Sequence, residues 1–167
     1  MRNLSGMVRV ICITAVLTVI GRGTGLVEAG PTFIPAAGRV DAVYDTARSR
    51  VYVSTSGGQV LRYNLKTGGF APAYNLGGSL SGMDLSPDGN TLVVADRSVQ
   101  GAQNRIHVID LTDDSVSQIA FNKGGYESGT YTAAFSGANT VLTTSLFSGS
   151  GWVPLRSVDL TTGNATT

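Results

Sequence analysis

From Arg39 onward the chain alternates between short apolar, β-branched runs and clusters of Gly, Pro, Asp and Asn. Val40-Asp-Ala-Val-Tyr44, Arg50-Val-Tyr-Val-Ser54 and Gln59-Val-Leu-Arg-Tyr-Asn-Leu65 each fit a pleated, half-buried surface. Turns at Asp45 to Ser49, Gly57-Gly58 and Lys66-Thr-Gly-Gly69 separate them. A fourth, weaker run from Phe70 to Leu76 carries Pro72, which lacks the donor an interior ladder needs, so this strand is expected at a sheet edge. No segment after residue 30 holds a 3.6-residue apolar period over three turns, which excludes helical solenoids.

The same order then recurs. Ser81 to Leu85, Thr91-Leu-Val-Val-Ala-Asp96, Arg105-Ile-His-Val-Ile-Asp-Leu111 and Ser115 to Phe121 make a second unit, with a tight turn at Pro87-Asp88-Gly89. Val51 aligns with Leu92 and Asn64-Leu65 with Asp110-Leu111, offsets of about 41 and 46 residues. A third unit follows in Tyr131 to Phe135, Thr140 to Thr144 and Leu155-Arg-Ser-Val-Asp-Leu160. Leu92-Val93-Val94-Ala95 and Ile106, Val108 and Ile109 are apolar on both faces, so the middle strands expect cover on each side. Four consecutive antiparallel strands per unit, stacked on their neighbours, describe β-propeller blades. The expected fold is all-β: an incomplete propeller of about three four-stranded blades, spanning 40–80, 81–130 and 131–167.

The N-terminus stands apart. Arg2 and Arg9 precede an apolar run, Val10 to Ile20, of about 11 residues, against the roughly 20 a spanning helix needs. Val27-Glu-Ala29 matches the small-residue pattern of a cleavage site, so residues 1–29 read as a signal peptide helix, with an uncleaved anchor as the alternative, and 30–39 as a linker. Secreted, periplasmic or cell-surface localisation follows. Cys12, the one cysteine, falls in that run, leaving no thiolate or disulfide chemistry downstream.

The residues Ser86-Pro-Asp-Gly89, Thr91-Leu-Val-Val-Ala-Asp96 and Ile106-His-Val-Ile-Asp-Leu111 resemble the repeat of the lactonase-like, YVTN-type β-propellers, which are WD40-like. The resemblance covers roughly Val40 to Thr162, and it implies a propeller; its motifs are structural and recur in enzymes and binding proteins alike. A ring typically needs four to eight blades. Thr161-Thr-Gly163 stands where the last outer strand should start, and Asn164 to Thr167 leaves no room for it, so a fragment of a larger propeller is expected. Unclosed blades also predict self-association of residues 30 to 167 through open edges.

Candidate chemistry is sparse. With 12 basic and 11 acidic residues, no long-range field draws the chain to nucleic acid or to a membrane in its mature form. Asp84, Ser86, Asp88 and Asn90 alternate like the start of a calcium loop, but Ala95 stands where a bidentate Glu is needed, and a plain hairpin turn accounts for them. His107 aligns with Leu61 and Arg156, a packing position between blades rather than a catalytic base. Gly77 to Gly82 lacks nucleophile-elbow spacing. No catalytic residue, metal or cofactor is assigned. The loops Gly77 to Ser81, Arg97 to Asn104, Asn122 to Gly129 and Ser145 to Pro154 emerge together and carry Asp96, Arg97, Gln103, Arg105, Tyr126, Glu127 and Trp152. These residues make the loop-face binding candidates, with Trp152 either an exposed contact or a buried plug. An exported binding or scaffold module without activity of its own, recognising a protein or small molecule, is the preferred reading. A truncated lactonase-like hydrolase is the alternative, and first-strand carboxylates, here only Asp41 and Asp84, are its discriminator. A truncated product without function of its own is the third possibility.

Overall fold

The computed structural model describes residues 33–149 and 152–167; the expected signal peptide at 1–29 lies outside them. Twelve strands follow one another: β1 (Arg39–Asp45), β2 (Arg50–Thr55), β3 (Gln59–Asn64), β4 (Gly69–Asn75), β5 (Leu80–Leu85), β6 (Thr91–Gln100), β7 (Gln103–Asp110), β8 (Val116–Asn122), β9 (Glu127–Phe135), β10 (Thr140–Phe147), β11 (Arg156–Asp159) and β12 (Ala165–Thr166). They form three four-stranded antiparallel sheets in chain order, β1–β4 (blade 1), β5–β8 (blade 2) and β9–β12 (blade 3). β4 with Pro72 is an edge strand, where its missing amide costs no ladder bond.

The period-two rule decides what lies between the sheets. Leu92, Val94 and Ile109 point to one side of blade 2 and pack with Tyr52, Val60 and Tyr74 of blade 1. Val93, Ala95 and Ile106 point to the other and pack with Ala133, Val141 and Val158 of blade 3. Leu92, Val93, Val94, Ala95, Ile106 and Ile109 are completely buried. Burying each large aliphatic side chain stabilises the fold by about 1.5–3 kcal/mol. Blade 2 is therefore held from both faces.

The first strands lie side by side and are joined by polar bonds that repeat from blade to blade. Asp41 accepts the amide of Met83 at 2.8 Å, and Asp84 accepts that of Phe135 at 2.8 Å. Each carboxylate also accepts the amide of the residue after it, Ala42 or Leu85. The Ser54 hydroxyl donates to the Ser81 carbonyl, and the Ser81 hydroxyl to the Thr130 carbonyl, at 2.7 and 3.1 Å. Sequential four-stranded sheets stacked face to face, with first strands adjacent, make this an incomplete β-propeller of three blades.

Three local expectations are corrected. Arg97 to Asn104 is not a loop: β6 and β7 run on as a hairpin to a tip at Gly101-Ala102, because polar side chains do not prevent backbone pairing and Gly101, at φ +60°, supplies the turn. A register shift between Asp96 and Gln100 absorbs the extra length. β9 begins at Glu127 rather than Tyr131. The tail does make a fourth strand for blade 3, a two-residue pairing of Ala165 and Thr166 with Val158 and Ser157.

Candidate functional site

Because neighbouring strands run antiparallel, the β2–β3, β4–β5, β6–β7, β8–β9 and β10–β11 connections share one end of the sheets. The sequence-predicted residues sit there in two groups that differ in burial.

The first group is interior. Asp96 has no exposed surface. Its Oδ2 accepts Arg105 Nε at 2.7 Å and lies 3.2 Å from His107 Nε2, while Oδ1 accepts the amides of Ser79 and Ser98 at 3.0 and 2.8 Å and the Ser98 hydroxyl at 2.7 Å. Burial alone would raise this carboxyl; hydrogen bonds from His107, from Ser98 and from the Ser79 amide outweigh it and hold Asp96 well below the usual carboxylate range. Gly78 is fitted to this cluster, since a Cβ there would stand 2.2 Å from Asp96 Oδ2. Thr130 of blade 3 bonds the backbone of both Asp96 and Arg105, tying the cluster to the next blade.

Glu127, 3% exposed, receives Arg156 Nη1 and the Gly124 amide. Here too burial opposes ionisation and the hydrogen bonds, Arg156 first, prevail, leaving the carboxyl below its ordinary range. Arg156 lies 5.7 Å from the ring centroid of Phe121, so this pair anchors blade 3 against blade 2. His107 and Arg156 occupy equivalent third-strand positions, both turned towards the preceding blade.

In the second group the aromatic side chains face outward, while Arg97 is half-buried. Trp152 is 98% exposed and Tyr126 61%. The Tyr126 ring lies 6.5 Å from that of Phe147, itself 40% exposed, with the planes tilted by 56°. The Arg97 guanidinium stands 6.0 Å from the ring of Tyr131, and its Nε is buried with no hydrogen-bond partner among the described residues. Gly129, at φ +89°, lets β9 start directly against Arg97: a Cβ would meet the Arg97 carbonyl oxygen at 2.0 Å.

The rim thus carries the Tyr126–Phe147 aromatic pair and the exposed side chains of Tyr131 and Trp152, beside a buried ionic frame. Tyr131 escapes the sequence reading because a strand aromatic ordinarily signals core, and Phe147, inside the expected loop Ser145 to Pro154, because only the extension of β10 to Phe147 brings its ring beside that of Tyr126. Asp88 closes its own turn, accepting the Asn90 amide at 3.0 Å and the Ser86 hydroxyl. Among the described residues no three His, Cys, Asp or Glu side chains come together as a metal-ligand set.

No family model matches the chain, and no curated protein matches it. Solved structures do. The β-propeller domain of Myceliophteria thermophila Cps50 (Swd1) superposes with a TM-score of 0.61 at 16% identity, over 80% of this chain and 39% of that one. Kuenenia stuttgartiensis hydrazine synthase gives 0.64 at 20% identity, over 75% of this chain and 35% of that one. The RRP9 WD40 repeats give 0.59 at 13%, over 78% and 38%. At such identities the likeness shows the fold alone. The chain spans about two-fifths or less of the length of these neighbours, WD40 propeller domains among them.

Proposed function

We propose that this chain is an exported binding or scaffold module, part of a larger propeller, that engages a protein partner through the aromatic rim of blade 3. The observation that carries this is the almost complete exposure of Trp152, on the same end of blade 3 as the exposed Tyr126 and Phe147. Large amphipathic side chains with few rotatable bonds are the usual anchors of protein recognition. An exposed aromatic rim favours a protein over a small molecule as the partner. The repeat is read as YVTN-type on Ser86-Pro-Asp-Gly89 and Ile106 to Leu111, and export on Arg2, Arg9 and the apolar run that follows.

The hydrolase alternative draws no support from the first strands. Asp41 and Asp84 both use their carboxylates to bridge blades. Asp96, Arg105 and Glu127 are read as the frame of the binding surface, and Arg97, Tyr126 and Trp152 as its contacts.

The test is affinity capture from the exported fraction of the source cells by wild type, Trp152→Ala and Tyr126→Ala, with melting recorded for each. A partner held by wild type and lost by both variants at unchanged melting temperature supports the proposal. Equal retention by all three, or a large loss of stability in Trp152→Ala, contradicts it.

A further inference from the structure

The opposite end of the sheets holds a different surface. There the β1–β2, β3–β4 and β7–β8 turns enclose a groove of about 570 Å³ between blades 1 and 2, lined by Arg48, Arg50, Arg62, Lys66, Asp113 and Asp114 among others. Arg50 pairs with Asn64 and Tyr52 with Arg62 across β2 and β3, so both arginines project from the face of blade 1 that meets blade 2.

What the groove's charges do to one another leaves donors over. Arg62, 8% exposed, gives Nη2 to both oxygens of Asp114 at 2.9 and 3.1 Å and lies 4.4 Å from the Tyr74 ring centroid. Tyr74 donates its hydroxyl to the same carboxylate, so Asp114 has little capacity left. Asp113 accepts the Ser115 amide at 2.8 Å. Arg48 is committed to Asp45, the Gly89 carbonyl and Asn90. Against this, the Nε–H groups of Arg50 and of Arg62 are both buried without any acceptor among the described residues. Lys66, at the groove's mouth, enters no ion pair among the described residues. Buried donors without partners are rare, and Arg97 Nε is a third one, outside this groove. What points to an anionic acceptor supplied from outside is that Arg50, Arg62 and Lys66 gather in one open groove with more cationic than anionic side chains. Asp114 sits at φ +63°, a left-handed turn conformation that Asp accepts more readily than most non-glycine residues, and its carboxylate orients Arg62.

We propose that this groove binds the phosphate group of a small phosphomonoester, with Arg50 and Arg62 donating from its floor and Lys66 closing on it from the mouth. A tetrahedral oxyanion offers the several acceptors that guanidinium forks match, and it balances the excess of cationic side chains. The volume suits a small molecule rather than a polymer.

The experiment is calorimetric titration of inorganic phosphate and of phenyl phosphate into the full chain at constant ionic strength, with sodium chloride as control. Saturable one-site binding of phenyl phosphate is expected, weakened about tenfold in both Arg50→Gln and Lys66→Ala, whose melting temperatures stay at the wild-type value. Inorganic phosphate binding more weakly than the ester supports an ester ligand. If it binds as tightly or more tightly, the ester assignment is overturned in favour of the free oxyanion. Heats indistinguishable from the chloride control, or variants that bind like wild type, overturn the site itself.

Discussion

The carboxylate of Asp84 accepts the amide proton of Phe135 at 2.8 Å, joining the first strand of blade 2 to that of blade 3 across 51 residues of sequence. Asp41 makes the same bond to Met83. These two residues are the acids that a catalytic channel would require, and they serve as bolts between blades. Asp84→Ala leaves the Phe135 amide without its acceptor. The expected cost is about 1–3 kcal/mol, measured by urea unfolding. A loss within error of zero would show the bond to be incidental.

Gly78 and Gly89 share a left-handed backbone, φ +71° and +73°, but only Gly78 faces an obstacle. Asp96 cannot swing away from a new methyl group, because Arg105, His107 and Ser98 hold it. Gly89→Ala is expected to cost about 1–2 kcal/mol from backbone conformation alone. Gly78→Ala adds disruption of a buried ion pair and should exceed about 3 kcal/mol. Equal costs in the two variants, read by thermal melting, would mean that the Asp96 cluster contributes nothing.

Asp96 and Glu127 both have carboxyls held below their ordinary range in the folded chain. For a depressed carboxyl the stabilisation is complete above the unfolded value, about 4, and is lost as pH falls from there towards the folded value. The melting temperature should be level between about pH 5 and 7 and drop below about pH 4. Asp96→Asn should be less stable at neutral pH and show a shallower acid slope. Parallel acid slopes for wild type and variant would assign the drop to other groups.

Much of this architecture was legible because it depends on nearest neighbours in sequence. Leu92-Val93-Val94-Ala95 has no polar alternation, which is why cover on both sides could be expected, and Pro72 announced its edge. The ionic frame was not legible. Glu127 meets Arg156 across 29 residues, and Thr130 reaches the Asp96 backbone across 34, distances at which spacing carries no signal. Asp96 and Arg105, polar residues flanking an apparent loop, and Glu127 within another, were therefore grouped with exposed contacts although they are interior. The hairpin tip misled for a related reason: backbone pairing from Arg97 to Asn104 leaves no apolar trace. The Arg50 and Arg62 pair could have been suspected, since an arginine inside Val60-Leu-Arg-Tyr63 breaks an otherwise apolar strand.

The face of blade 1 turned away from blade 2 carries a row of Tyr44, Val51, Tyr63 and Phe70 across all four strands, with Tyr63 and Phe70 packed edge to face at 5.1 Å. Tyr44 and Phe70 remain 41% and 45% exposed. Residues 30 to 167 produced alone are expected to elute above monomer size, and Phe70→Ser to shift the equilibrium towards monomer. A sharp monomer peak for the unsubstituted chain, with cooperative melting, would contradict this.

Amide hydrogen exchange bears most directly on the stacked-blade account. If blade 2 is clasped between its neighbours, the amides of Leu92 to Ala95 and Ile106 to Ile109 exchange slowest in the chain, through global unfolding only, while those of the edge strands β4 and β8 exchange by local opening. Exchange in β6 and β7 as fast as in those edges would mean that the three sheets do not pack on one another, and the rim and groove assigned to their junctions would have no common frame.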